Sequence, residues 1–153
     1  MRSNLAEFRA NGAEIRFAQW LTLIAAALGK AGKPDEGLRE IDEALAAMER
    51  TGERFYEAEV YREKGELLLS QDSANTKSAE RSFQTAIEIS REHLAKSWEL
   101  RSTIRLARLL AKQGKCDEAR TMRAEIYCWF TEGFDTADLK DAKALLEELS
   151  NPA

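Results

Sequence analysis

Gly32-Lys-Pro-Asp-Glu-Gly37-Leu-Arg-Glu-Ile41-Asp-Glu-Ala44 sets a pattern that the chain states three times. Lys77-Ser-Ala79-Glu-Arg-Ser-Phe83-Gln-Thr-Ala86 and Gly114-Lys-Cys-Asp-Glu-Ala119-Arg-Thr-Met-Arg-Ala-Glu-Ile126 repeat it. Small residues stand at 37, 79 and 119, spaced 42 and 40 apart. A bulky residue follows four positions later in the first two copies, and an apolar one seven positions later in all three. A second register lies upstream, where Ala25, Gly65 and Ala107 each precede Leu28, Leu68 and Leu110 by three. The loops agree as well: Gly12 of Asn11-Gly12 and Gly52 of Thr51-Gly52 each lie 13 residues before Ala25 and Gly65.

Small residues at fixed places in paired helices let two backbones approach, while bulky residues further on fill the gaps between pairs. That is how a tetratricopeptide (TPR) array works, here with a period near 40 instead of about 34. Composition agrees. Ala, Glu, Lys, Leu and Arg supply 85 of 153 residues, against one Val, seven Ile and eight Thr. Helices draw on the first set and strands on the second. Only Pro34 and Pro152 could interrupt a helix. The fold expected is all-α, a right-handed α-solenoid of TPR-like hairpins forming one domain over 1–153.

The spacing predicts repeats over about 14–52, 54–93 and 97–131, each a pair of helices: 14–31 with 35–52, 54–71 with 77–93, and 97–113 with 117–131. A capping helix over about 137–149 follows Asp135 or Thr136, either of which can serve as N-cap. Its stripe of Leu139, Ala142, Leu146 and Leu149 would face inward, with Lys140, Asp141, Lys143, Glu147 and Glu148 outward. Residues 3–11, carrying Leu5 and Phe8, read as the end of a helix whose partner is missing, so the chain begins inside a repeat.

Several functions are excluded. A net charge of −4 argues against a general nucleic-acid binder, which needs basic surface. The longest strongly apolar stretch, Trp20 to Leu28, is about half of what a bilayer requires. Cys116 and Cys128 lack metal-ligand spacing and form no disulfide framework, which suits a reducing cytoplasm. Gly29-Lys-Ala-Gly32-Lys has the wrong spacing for a phosphate-binding loop. His93 is the only histidine, and a helix-end position explains it. No enzymatic activity and no cofactor or metal are expected.

Longer matches carry a family resemblance. These are Leu28-Gly-Lys-Ala-Gly-Lys-Pro-Asp-Glu-Gly-Leu38, Thr51-Gly-Glu-Arg54, Ala58-Glu-Val-Tyr-Arg62-Glu-Lys-Gly65-Glu-Leu-Leu-Leu69, Glu99-Leu-Arg101 and, most specific, the segment from Trp129-Phe-Thr-Glu-Gly-Phe-Asp-Thr136 to Leu146. Over residues 10–149 the chain resembles the C-terminal TPR region of large bacterial proteins known as predicted ATPases and class III adenylate cyclase-like proteins. The resemblance implies a protein-binding tail. Nothing in the chain matches the catalytic parts of such proteins.

In a TPR stack the first helix of each pair lines the concave groove. Counting from Ala25, Gly65 and Ala107 assigns to it Gln19, Thr22, Ala26 and Lys30, then Glu59, Arg62, Glu66 and Ser70, then Arg101, Ile104, Arg108 and Lys112, with Arg105 adjacent. The third set is a cationic strip that suits an acidic protein or peptide, because guanidinium forks bind carboxylates bidentately. The alternative is a solvated face whose arginines pair with Glu59 and Glu66. Trp20 and Trp129 read as packing residues, Trp129 stapling the last helix. An uncovered apolar face at Leu5, Phe8 and Trp20 would make the chain a homodimer through its N-terminal helices, a scaffold role that stands as the alternative function.

Overall fold

The computed structural model describes residues 16–150, with side chains to residue 145. Every regular element among them is helical. The α-helices are α1 Phe17–Lys30, α2 Pro34–Thr51, α3 Glu57–Gln71, α4 Thr76–Glu92, α5 Lys96–Lys112, α6 Cys116–Tyr127 and α7 Ala137–Ser150. A 3-10 turn, Ser73–Asn75, lies in the polar loop before α4. None of these helices is long and apolar enough to cross a membrane. The chain forms two compact units, Met1–Ala79 and Glu80–Ala153. The expected partial helix over residues 3–11 lies outside the described residues.

The hairpin turns explain why the helices stop where they do. After α1, Gly32 takes φ 74, Lys33 N–H bonds the Leu28 carbonyl at 2.9 Å, and Gly32 N–H bonds that of Gly29 at 3.0 Å. This pair of bonds satisfies carbonyls that a helix end otherwise leaves bare. Pro34 then opens α2, where its missing N–H costs nothing. The α5–α6 turn is the same: Gly114 at φ 81, Lys115 to Leu110, Gly114 to Ala111. After α4 the bonds recur, Ala95 to Ser90 and Leu94 to Arg91, but the left-handed position holds Leu94 at φ 55.

In the first unit, Phe17, Ala18, Leu21 and Ala25 of α1 meet Ile41, Ala44, Ala47 and Met48 of α2 and Val60 and Leu67 of α3. The small-residue register has a direct geometric meaning here. A Cβ on Gly37 would stand 3.1 Å from the Ala25 carbonyl oxygen and 2.8 Å from Leu67 Cδ2; one on Gly29 would stand 2.7 Å from that same methyl. Leu67 therefore keys into a notch that two glycines leave open between α1 and α2. Trp20 is not in this core: it is 50% exposed. With Phe17, Leu21 and Ala25 inward, Trp20 and Leu23 fall on the opposite side of α1, which has more apolar residues than one buried stripe accommodates.

In the second unit, Leu100, Ile104, Ala107 and Leu110 of α5 and Ala119 and Ile126 of α6 are buried. Helix α7 packs on both α5 and α6. Its buried residues among those whose side chains are described are Leu139, Ala142 and Leu145, so Leu145 joins the expected stripe; the side chains expected at Leu146, Glu147, Glu148 and Leu149 lie outside the described residues. Thr136 stands at the N-cap position, its carbonyl accepting Lys140 N–H at 3.0 Å, but its hydroxyl donates back to the Gly133 carbonyl. Two expected boundaries move. Helix α3 starts three residues late because Arg54 is held between Glu49 and Glu57, while Phe55 N–H bonds Glu53 Oε1. Helix α6 stops at Tyr127, four residues early, as the chain turns toward Gly133 at φ 77.

Candidate protein-binding surface

The groove positions expected in the first unit do not form an open mixed strip. Gln19 is half-buried and accepts a hydrogen bond from Arg16 Nε at 3.1 Å. Thr22 is buried, its hydroxyl bonded to the Ala18 carbonyl. Glu59 is buried too, and Arg62 donates from Nε to Glu59 Oε2 at 3.1 Å and from Nη2 to Glu63 Oε2 at 3.0 Å. Glu66 is half-buried on the same side of α3. This is a desolvated ion cluster. Burial pushes the Glu63 carboxyl above its ordinary value, against the pull of Arg62, with Glu66 and Glu59 adding to the rise. Burial alone would lower the Arg62 pKa, but the carboxylates of Glu59 and Glu63 raise it on balance. Glu63 escaped the groove count because it lies between the counted positions. Its spacing to Glu59 and Glu66, four and three residues, was the signal.

The second unit keeps the arginines of α5 at the surface and gives them partners. Arg101 Nε donates to Asp138 Oδ2 at 2.7 Å, and Arg108 Nη2 donates to Asp141 Oδ1. Both acids belong to α7, so Asp141 does not point outward with Lys140 and Lys143, which are exposed. The cationic strip therefore holds carboxylates, and they come from the capping helix. Arg105 between them is half-buried, Ile104 is buried, and Lys112 is exposed at the end of α5.

One residue under α7 was not anticipated. Arg123 occupies the place in the third repeat that Ile41 and Phe83 hold in the first two, four positions after the small residue. All three are buried, Arg123 completely. Its Nη1 donates to the Ala142 carbonyl at 3.1 Å, while Nε and Nη2 have no acceptor. Burial, with Arg120 nearby, lowers its pKa to about 10. A buried charge is normally paired, because removing it from water costs several kcal/mol. The sequence signal was an arginine at a core position of the repeat.

The aromatic residues around the α6–α7 loop differ from expectation. Trp129 is 57% exposed and does not staple α7. It meets Phe130 edge-on at 5.1 Å, and Lys96 Nζ lies 5.7 Å from its ring centroid. Phe134 tilts against Tyr127 at 5.8 Å. Trp98 is half-buried. Buried Glu99 holds the start of α5: burial would raise its carboxyl, but hydrogen bonds from Arg91 at 2.7 Å and Lys96 at 2.6 Å keep it below the ordinary value. Leu5 and Phe8 lie outside the described residues. Cys116 and Cys128 are exposed thiols, and no group of three His, Cys, Asp or Glu among the described residues could hold a metal ion. No protein-family model matches the chain, and no curated protein matches its sequence.

Proposed function

We propose that the chain is a non-catalytic protein-interaction module, a right-handed TPR-type solenoid segment from the cytoplasmic tail of a signalling ATPase or adenylate cyclase-like protein. The observation that carries the reading is the arginine face of α5, where Arg101 and Arg108 bind two carboxylates of a helix. Guanidinium groups recognise carboxylates geometrically as well as by charge, so a face of this kind discriminates among protein segments. The repeated hairpin turn and the notch at Gly29 and Gly37 support the repeat architecture. The test is affinity capture from the source cells, comparing the wild type with Arg101→Glu/Arg108→Glu. Proteins enriched by the wild type and lost with the variant support the module. Identical captures from the two, after the variant is shown to fold, would refute it.

A second reading, a self-associating scaffold, is favoured by α1. Trp20 and Leu23, one turn apart, are 50% and 49% exposed on its outer side. Large apolar side chains grouped this way commonly meet a partner, and two-fold pairing is the simplest closed arrangement. Sedimentation of the wild type against Trp20→Glu/Leu23→Glu tests it. A wild type that remains monomeric at high concentration would remove this reading.

A further inference from the structure

The contact between α7 and the rest of its unit has two unlike halves. One is well matched: Leu139, Ala142 and Leu145 are buried, Asp138 meets Arg101, and Asp141 meets Arg108. These are the contacts of an acidic amphipathic helix on a basic face. The other half is poorly matched. Beneath α7, Arg123 is sealed from water with a main-chain carbonyl as its only acceptor and two donor nitrogens unused. Among the described side chains of α7, no carboxylate meets Arg123. Ala142 and Leu145 are the described inward residues nearest in the chain to that carbonyl, and both are apolar.

We infer that the α5–α6 face is a receptor for an acidic amphipathic helix, that α7 is its resident occupant, and that an incoming helix with one further carboxylate near Arg123 displaces α7. This rests on the reading of α5 as a protein-recognition face and adds the partner's chemistry and its control. Charge complementarity selects the occupant, because Arg101, Arg108 and Arg123 present three guanidiniums and the described side chains of α7 answer two. An arriving helix that answers all three converts an unmet buried charge into a pair, which the described side chains of α7 do not. The resident helix holds weak ligands off and yields to a better one.

The test uses the full chain and a fluorescent peptide of residues 135–150. The Asp138→Lys/Asp141→Lys chain, which loosens α7, should bind this peptide at least ten-fold more tightly than the wild type does. The Asp138→Asn/Asp141→Asn peptide should lose most of that affinity. A Leu145→Glu peptide supplies a carboxylate one turn beyond the carbonyl that Arg123 reaches. Replacing Leu145 by Glu should be at least ten-fold more harmful on a receptor that also carries Arg123→Met than on one retaining Arg123. Equal binding by loosened and wild-type chains, or by acidic and neutral peptides, overturns the receptor. No coupling between Leu145→Glu in the peptide and Arg123→Met in the chain overturns the third contact.

Should the loosened chain not fold, hydrogen exchange on the wild type decides. Excess Leu145→Glu peptide should accelerate exchange of the chain's own α7 amides while α5 stays protected, and unchanged α7 exchange overturns displacement. Failure here beside arginine-dependent capture removes the exchange mechanism alone. Failure of both removes the module.

Discussion

Arg123→Met should stabilise the protein. The substitution removes one hydrogen bond from a charged donor to the Ala142 carbonyl, worth about 1.5–3 kcal/mol. Within α7 that carbonyl keeps its helical environment and is not orphaned. The change also removes two buried donor nitrogens without acceptors, each costing about 1–3 kcal/mol. Methionine follows a similar path through the core without a charge, and the equivalent positions already hold Ile41 and Phe83. The central expectation is a gain of about 2 kcal/mol, in line with buried charges elsewhere that apolar residues replace favourably. For a chain of this size that is a rise of about 4–8 °C in midpoint. Urea unfolding followed by circular dichroism, with calorimetry alongside, measures it. The pH dependence adds a check. Arg123 loses its proton more readily folded than unfolded, so the wild type's deficit should shrink as pH climbs above about 10. A loss of stability in Arg123→Met would refute the reasoning, since it would mean that the guanidinium is well satisfied where it lies.

Three more outcomes follow from the geometry. Leu94→Gly should stabilise by about 0.5–1 kcal/mol in thermal melts, because Leu at φ 55 carries a left-handed strain of about 1–2 kcal/mol that exceeds the entropic cost of Gly; a destabilised variant contradicts the turn assignment. Gly29→Ala and Gly37→Ala should separate in urea titrations: the first overlaps only a flexible Leu67 methyl, whereas the second also crowds the Ala25 carbonyl, so Gly29→Ala should be the more stable by about 1 kcal/mol. Glu63→Gln and Glu99→Gln should show opposite pH trends in unfolding free energy. The raised Glu63 carboxyl contributes stability that is lost as pH rises above about 4.5, so the wild type falls relative to Glu63→Gln there. The lowered Glu99 carboxyl contributes stability that is lost as pH falls below about 4.5, so the wild type falls relative to Glu99→Gln on that side. Parallel trends would mean that one of the two environments is misread.

What could be read from the sequence was what repeats. Gly37, Ala79 and Ala119 are all buried, as are Ala25, Gly65 and Ala107, because the helix pattern depends on neighbours a few residues away. The helix ends were legible wherever a glycine marked them, at Gly32 and Gly114, and less so where Arg54 or Tyr127 ended the pattern through contacts across a turn. The side of a helix on which a surplus apolar residue falls was not legible. Trp20 and Trp129 were both expected inside and are exposed, since hydrophobicity ranks residues without saying how many a face can cover.

The candidate surface failed in a more instructive way. Counting positions found the arginines of α5 and the chemistry that suits them, but a count along one helix cannot show that Asp138 and Asp141 lie against it, 37 and 33 residues away in the chain. The same limit hid Arg123. Its slot was blank in the pattern because the apolar residue expected there was absent, and a blank reads as noise. Burial turns it into information. The equivalent slots of the other repeats hold the buried apolar residues Ile41 and Phe83. The displacement proposed above turns on this residue, because a carboxylate arriving in place of α7 would pair the guanidinium that the Ala142 carbonyl alone now meets.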